Sequence, residues 1–274
     1  MDGTMSIKLK IFILFIFLFQ AARFTAQTAE TKIYKAAEGK NVGIWPHNDR
    51  FKSIEKMREL NTKWGFNHLL LAAIYDGSQK EFLADAGFDS LHIAYQIHLP
   101  DMTGNREIFY KKLLELGKIW GYYFDEPISR EHSYREFLNL LIFMSENGLY
   151  PHSRFIVSEL DEKKAERVSL FVDDITYSGY GNKDGLGFDQ IKTWAVWKDY
   201  LGSKFGMPWI SSDLDSNEYR TLFKAARDLK FNFVWLYALE PLAENQEVGD
   251  SNYEKFCEAA VEFGFMIRQN SPVK

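Results

Sequence analysis

The chain has 274 residues, of which 46% are apolar and 26% charged, and its formal net charge is −5. This length allows one domain or two small ones with a substantial core, and the composition excludes a disordered or low-complexity protein. The single cysteine, Cys257, excludes an internal disulfide and a thiolate metal cluster, and we expect it to be a small buried side chain.

The first 29 residues have the pattern of a secretory signal peptide. Lys8 and Lys10 precede the apolar run Ile11–Phe19, and the small-residue stretch Ala21–Ala29 follows it. Nine apolar residues are too few to span a bilayer, which takes roughly 20 residues, although an uncleaved N-terminal anchor is the alternative. The sequence therefore predicts an exported protein, secreted or periplasmic, whose mature domain covers residues 30–274.

The mature chain is more acidic than the whole. Residues 1–26 hold three basic residues and one acidic residue, so their removal changes the net charge from −5 to −7. An acidic surface repels a phosphate backbone, and nucleic acid is not expected as a partner. No other stretch is long and apolar enough to predict stable membrane insertion after signal cleavage.

Short apolar or β-branched runs alternate with amphipathic helical runs along the mature chain. The strands are predicted at Asn41–Pro46, His68–Ala73, Ser90–Gln96, Trp120–Phe124, Arg154–Ser158, Asp174–Ser178, Pro208–Ser212 and Phe233–Leu239. The helices are predicted at Ser53–Trp64, Gln79–Ala86, Arg106–Leu116, Ser133–Asn147, Asp161–Leu170, Gln190–Phe205, Glu218–Leu229 and Tyr253–Ile267. Glycines close most of the helices, whereas the strand-to-helix segments are longer and polar.

Eight strand–helix pairs predict an α/β fold, a single (β/α)8 TIM barrel, with its site where the strands end. The competing fold is an open doubly wound sheet. That fold usually has a glycine-rich phosphate loop after its first strand, and the segment Trp45–Asn48 contains no glycine.

The strongest chemical signal lies at the end of the fourth predicted strand, where Asp125 and Glu126 precede Pro127. Adjacent carboxylates repel each other, which favours protonation of one of them. An acid that keeps its proton is what general-acid cleavage of an acetal requires. The alternative is an ordinary pair of loop acids that caps the following turn.

The segment Tyr122–Pro127 resembles the fourth strand of the barrel glycoside hydrolases, many of which end it in Asn-Glu-Pro or Asp-Glu. The resemblance implies that Glu126 is the acid/base and that Asp125 contacts the 2-substituent of the sugar. In hexosaminidase-type families with an Asp-Glu pair, the Asp orients a 2-acetamido group that itself acts as nucleophile. The likeness in fold covers Asn41 to Ile267, but its sequence-specific part is Tyr122–Pro127 alone.

The chain departs from the commonest hydrolase clan at the end of the seventh strand. Those enzymes have a catalytic Glu there, and the nearest acid in this chain is Asp213. Glu240 after the eighth strand and Glu159 after the fifth are the other acids at predicted strand ends. Asp213 or Glu240 is predicted as the second carboxylate, and the retaining, inverting and substrate-assisted mechanisms all stay open.

Aromatic residues gather at the same strand ends. Aromatic rings pack against the C–H faces of sugars, and Tyr and Trp also offer polar hydrogens to hydroxyl groups. Substrate contacts are predicted at Trp45, His47, Tyr177, Trp209, Trp235 and Tyr237. The alternative is that many of these rings fill the barrel interior.

Histidines are too few to favour a metallo-hydrolase. A barrel amidohydrolase has His-x-His at the end of its first strand, where this chain has only His47, and no metal or cofactor is predicted. The leading hypothesis is a secreted glycoside hydrolase-like protein with a carbohydrate substrate. The alternatives are a non-catalytic carbohydrate-binding barrel and a metal-assisted hydrolase. The sugar, the linkage and the oligomeric state are left open.

Overall fold

The computed structural model describes residues 32–46, 53–71, 77–97, 106–128, 134–177, 187–238 and 249–270. The strands are β1 (Lys32–Ala36), β2 (Asn41–Trp45), β3 (His68–Leu71), β4 (Ile93–Ile97), β5 (Gly121–Asp125), β6 (Arg154–Glu159), β7 (Asp174–Tyr177), β8 (Trp209–Ser211), β9 (Phe233–Tyr237) and β10 (Met266–Asn270). The helices are α1 (Ile54–Thr62), α2 (Gly77–Asp85), α3 (Arg106–Leu116), α4 (Tyr134–Glu146), α5 (Glu162–Ser169), α6 (Gly187–Leu201), α7 (Ser216–Asp228) and α8 (Asp250–Glu262).

The chain divides into two units by its contacts. One unit is Ile33–Gln269, and the other consists of residues 1–32 and 270–274, of which the structure describes Lys32 and Asn270. The predicted signal peptide therefore lies outside the described residues. In the part that is described, no helix is both long enough and apolar enough to cross a membrane.

Strands β2 to β9 form one parallel sheet in the order β7-β6-β5-β4-β3-β2-β9-β8. An isolated parallel bridge between Ile175 and Phe205 brings β7 against the segment that leads into β8. Helices α1 to α8 each follow one of these eight strands. The predicted single (β/α)8 barrel is confirmed.

Side chains close the seam between β7 and β8, where the described residues form no strand ladder. The Thr176 hydroxyl donates to the carbonyl of Met207 at 2.5 Å, and Gln190 Nε2 on α6 donates to the carbonyl of Trp209 at 2.7 Å. Buried backbone carbonyls need such partners. One backbone bridge and these side-chain hydrogen bonds thus close the barrel along this edge.

Two separate apolar clusters lie on the two sides of the barrel wall. The inner cluster consists of Leu70, Ala94, Tyr123, Ile156, Met207, Trp209, Phe233 and Trp235. The outer cluster holds the alternate strand residues, such as Leu69, Ile93 and Phe124, together with the helices. Because side chains alternate across a strand, membership of one cluster or the other tells which way each strand residue faces.

Stacked aromatic rings fill the barrel interior. The Trp235 ring lies between Phe233 and Trp209, with ring centroids 4.8 and 5.2 Å away. Gly43 on the neighbouring strand β2 leaves the space for it, since a Cβ at that position would lie 2.2 Å from Trp235 Cε3. Trp209 and Trp235 are fully buried, so the interior is solid below the ends of the strands.

The two ends of the domain differ from the sequence prediction. Strands β1 and β10 form a separate two-stranded sheet that was not predicted. The last helix was predicted to reach Ile267, which is wrong, because Gly264 adopts a left-handed φ of 78° and the helix ends at Glu262. Within the chain, Ser90–His92 was predicted as strand but forms a 3₁₀ turn, in which the Leu91 amide donates to the Asp89 carboxylate.

Substitution of Gly43 by alanine tests the packing of the interior. We expect Gly43→Ala to lower the free energy of unfolding by about 3 kcal/mol, because the new methyl group overlaps the Trp235 ring. Gly206→Ala is the matched control, since a Cβ there would make an ordinary contact 3.4 Å from Asp174 Oδ1. Urea denaturation measures both variants, and equal stability of the two would contradict this account of the interior.

His68 lies at the opposite end of the barrel from the strand ends. Its ring packs against Trp120 and Phe233 at 4.5 and 4.9 Å, and Nδ1 contacts Asn67 Oδ1 at 3.1 Å. Burial, helped by the nearby His92 and Arg154, lowers the pKa of His68 from 6.5 to about 3. Between pH 3 and pH 6.5, the His68 ring is therefore neutral in the folded protein but protonated in the unfolded chain.

This difference makes stability fall on acidification. Between pH 6.5 and pH 3 the unfolded state binds the extra proton, so the contribution of His68 to folding should drop by about 2 kcal/mol at pH 4.5 relative to pH 7. His68→Gln should lose that part of the pH dependence, whereas His152→Gln, at an exposed position, should keep it. Urea denaturation at both pH values checks this, and equal pH slopes for wild type and His68→Gln would count against it.

Candidate active site

The carboxyl ends of strands β2 to β9 meet at one end of the barrel, where each strand has one last inward-facing side chain. We call these eight residues the mouth ring. They are Trp45, Leu70, Gln96, Asp125, Ser158, Thr176, Ser211 and Tyr237. None of the eight is lysine or arginine.

The mouth ring has a polar side and an aromatic side. Strands β4 to β8 contribute its five hydrogen-bonding residues, and the neighbouring strands β9 and β2 contribute Tyr237 and Trp45. Strands β5 and β9 are four positions apart in the sheet, so Asp125 and Tyr237 stand on opposite sides of the eight-stranded barrel. A ligand in the mouth would thus meet hydrogen-bonding groups on one side and rings on the other.

Asp125 is held by the neighbouring strand β6. It pairs in register with Ser158, whose hydroxyl donates to Asp125 Oδ1 at 3.0 Å. Ser158 is fully buried and Asp125 is half-buried. A hydrogen bond to a charged carboxylate is stronger than a neutral one, so this contact fixes the acid at the mouth.

Glu126 follows directly and has an unusual backbone. Its φ is 48°, in the left-handed region that residues other than glycine seldom adopt. Strand β6 holds this conformation, because the Glu126 amide donates to the Ser158 carbonyl at 2.9 Å and contacts the Ser158 hydroxyl at 3.3 Å. Such strained residues persist where the surrounding structure imposes them, often at functional sites.

Glu159 also supports the turn that runs from Glu126 to Ile128. It is fully buried, and its Oε1 accepts a hydrogen bond from the Ile128 amide at 2.9 Å. Pro127, between the two turn residues, is also buried. The two consecutive residues Ser158 and Glu159 therefore anchor the chain on both sides of Pro127, which gives Glu159 a structural role.

Tyr237 and Trp45 form the aromatic side of the mouth ring. Their ring centroids are 5.1 Å apart, and Trp209 lies against both, 6.1 Å from Trp45 and 6.5 Å from Tyr237. Burial, together with the charge of Asp125, raises the pKa of the Tyr237 hydroxyl.

The other predicted site residues lie in different surroundings. Asp213 is half-buried after β8, and its Oδ1 accepts from the Ser211 hydroxyl at 2.5 Å. Trp209 and Trp235 are fully buried in the inner cluster. Tyr177 faces outwards from β7 and packs against Trp197 with ring centroids 5.3 Å apart. His47 and Glu240 lie outside the described residues.

Sequence reasoning missed Gln96 and Ser158. Each is a polar residue at an inward position near the end of its strand, after a run of apolar or aromatic residues, in the segments IAYQI and RFIVSE. The alternation of polar and apolar residues near the strand end was the available signal. Among the described residues, no group of three or more His, Cys, Asp or Glu side chains is placed to hold a metal ion.

No family model matches the sequence, and a search of curated proteins finds no match. Several solved structures share the fold. Active domain 2 of a chitinase from Pyrococcus furiosus has a TM-score of 0.56 and 13% identity over 84% of this chain and 98% of that chain. A Thermomonospora fusca β-mannanase in complex with mannohexaose has a TM-score of 0.54 and 9% identity, covering 82% of this chain and 88% of its own.

A β-1,3-glucanosyltransferase of glycoside hydrolase family 17 from Rhizomucor miehei has a TM-score of 0.53 and 15% identity. That comparison covers 78% of this chain and 93% of the other. At such identities these structures establish a shared barrel fold. They also show that the barrel of this chain resembles those of several glycoside hydrolases.

Substitution of Ser158 tests how the acids are held. We expect Ser158→Ala to lower the free energy of unfolding by about 2 kcal/mol at neutral pH, because Asp125 loses a buried hydroxyl donor. Ser169→Ala is the control, since that hydroxyl donates to a backbone carbonyl at the surface. Urea denaturation compares them, and a Ser158→Ala protein as stable as the control would refute the proposed anchoring.

Proposed function

We propose that this protein is an exported, glycoside hydrolase-like barrel that cleaves or processes a glycan by general acid/base catalysis, with Glu126 as the acid/base. The observation that carries the proposal is the backbone of Glu126. Strand β6 imposes its left-handed φ of 48° at the mouth of the barrel, beside an acid that is itself fixed by a buried hydroxyl. The proposal of export rests on the signal-peptide pattern of residues 1–29.

The chemistry of the mouth ring suits a neutral sugar. A pyranose ring has apolar C–H faces and hydroxyl groups around its edge, so it needs an aromatic contact and several hydrogen-bonding groups. Trp45 and Tyr237 supply the first, and the polar residues of β4 to β8 supply the second. The absence of lysine and arginine from the ring disfavours phosphorylated or other anionic ligands.

The two acids have different proposed roles. Glu126 would give its proton to the leaving-group oxygen, and Asp125, bound to Ser158, would orient the sugar or stabilise positive charge that develops on it. Asp213 and Glu240 stay the candidates for the second carboxylate. A separation from Glu126 of roughly 5–5.5 Å suits a nucleophile, and roughly 6.5–9.5 Å suits a base that activates water.

The structural neighbours support the substrate class. The chitinase was solved with chito-oligosaccharides, the mannanase with mannohexaose, and an active-site mutant of the glucanosyltransferase with laminaritriose. These three ligands are neutral or N-acetylated oligosaccharides, and the mouth ring described above offers suitable contacts for them. They form the natural first panel for this chain.

A second candidate function is carbohydrate binding without catalysis. The hydrogen bonds of the other described acids at the strand ends favour it. Glu159 is buried and accepts from the Ile128 amide, and Asp213 accepts from the Ser211 hydroxyl. The mouth ring would bind a sugar without a further acid. The two functions differ in whether a bound oligosaccharide is cleaved.

Glu126→Gln separates these functions. If Glu126 is the acid/base, the amide should lower turnover of laminaritriose, mannohexaose or chitotetraose about 100-fold or more while oligosaccharide binding is retained. Release of reducing ends measures turnover, and calorimetry measures binding. Glu162→Gln, an exposed acid at the start of α5, is the control and should behave as wild type.

A wild-type protein that binds the oligosaccharides but cleaves none is a binding protein. Turnover that survives in Glu126→Gln excludes Glu126 as the acid/base. A wild-type protein that neither binds nor cleaves members of a broad glycan panel overturns the proposed function.

A further inference from the structure

Gln96 has a special position in the mouth ring. It lies on the inner side of β4, since Ala94 belongs to the inner cluster and Ile93 and Ile97 belong to the outer one. It pairs in register with Tyr123, two residues before Asp125 on β5. Gln96 and Ser158 therefore occupy the two strands that flank the strand of Asp125.

The carbonyl oxygen of Gln96 has no hydrogen-bond partner among the described residues. The residue is only 2% exposed, so this acceptor is removed from bulk water as well. Buried polar atoms are nearly always paired, and leaving one unpaired costs free energy. An unpaired acceptor beside the proposed acids calls for a donor that the described protein does not supply.

The surroundings specify what kind of donor fits. The Ser158 hydroxyl already donates its hydrogen bond to Asp125. Asp125 itself cannot act as a donor to Gln96 while its carboxylate is ionised. Among the inward neighbours of Gln96, Ala94 and Leu70 are apolar, and the hydroxyl of the in-register Tyr123 does not donate to the Gln96 carbonyl oxygen. A neutral O–H group of a ligand meets the need, and it also escapes the cost of burying a charge.

We propose that Gln96 determines specificity at this site by accepting a hydrogen bond from the most deeply inserted hydroxyl group of a neutral sugar. The inference rests on the proposed function, and it adds the residue that selects a hydroxyl at the deep end of the mouth. A sugar that lacks this hydroxyl, or that carries a carboxylate or phosphate there, would leave the Gln96 acceptor unpaired or repelled.

Gln96→Met tests the proposal, because methionine is also unbranched and flexible but offers almost no acceptor. Binding of laminaritriose, mannohexaose and chitotetraose is measured by calorimetry in the Glu126→Gln background, so that bound oligosaccharide is not consumed. We expect affinity to fall about 10-fold or more, because the ligand hydroxyl is then buried without a partner. Urea denaturation without ligand should show little loss of stability, because the Gln96 carbonyl oxygen accepts no hydrogen bond from the described residues.

Gln190→Met is the matched control. Gln190 is also a buried glutamine whose carbonyl oxygen has no partner among the described residues, but its Nε2 donates to the carbonyl of Trp209 at the barrel seam. This variant should lose stability and keep the affinity of its folded form for the oligosaccharides. Gln96→Met is thus expected to lower affinity and keep stability, whereas Gln190→Met is expected to lower stability and keep affinity.

Side-chain amide signals of ¹⁵N-labelled glutamine provide a second measurement, with the Gln96 signal assigned by its loss in Gln96→Met. We expect that signal to shift when oligosaccharide is added. Unchanged affinity in Gln96→Met overturns the inference and leaves the proposed function standing. A Gln96 amide signal that does not shift when the oligosaccharide is bound has the same consequence. Loss of stability as large as in Gln190→Met also overturns it, since the Gln96 side chain would then be engaged within the protein. A parent protein that binds none of the oligosaccharides overturns both proposals.

Discussion

Closing eight parallel strands into a barrel creates an interior that side chains must fill, and in this protein aromatic rings fill it. The stack of Phe233, Trp235 and Trp209 occupies the centre, and Gly43 gives up its side chain to make room. Because this interior is solid, a ligand can enter only at the level of the last inward-facing residues. The mouth ring is therefore the part of the inner surface that is open to function.

The acids of the proposed site depend on the continuous part of the barrel wall. Asp125 and Glu126 end β5, and the regular ladder to β6 places Ser158 and Glu159 where they fix the acids and the turn that follows. Asp213 follows β8 and stands beyond the seam, which is closed by side-chain hydrogen bonds. Asp125 and Glu126 thus follow a strand with a regular ladder on both sides, whereas Asp213 follows a strand with a ladder on one side, to β9.

Patterns within one element predicted local structure well. Helix α3 has the predicted bounds Arg106–Leu116, and α4 differs from its prediction by one residue at each end. The sheet of β1 and β10 was missed because its strands come from opposite ends of the domain, and neither has a strong period of its own. The helix before β10 was extended too far because its apolar period continues past Gly264, whose left-handed φ ends it.

The sequence by itself determined the order of the eight barrel strands and their helices, the barrel, and the place of Asp125 and Glu126 at the end of a buried strand, since these follow from periodicity and turn residues. Only the tertiary structure decided which aromatic residues fill the interior and which stand at the mouth. It alone revealed the contacts of Ser158 with both acids and the unpaired acceptor of Gln96. These features join residues on neighbouring strands far apart in the chain, and their contacts are set by strand register, which no local pattern encodes.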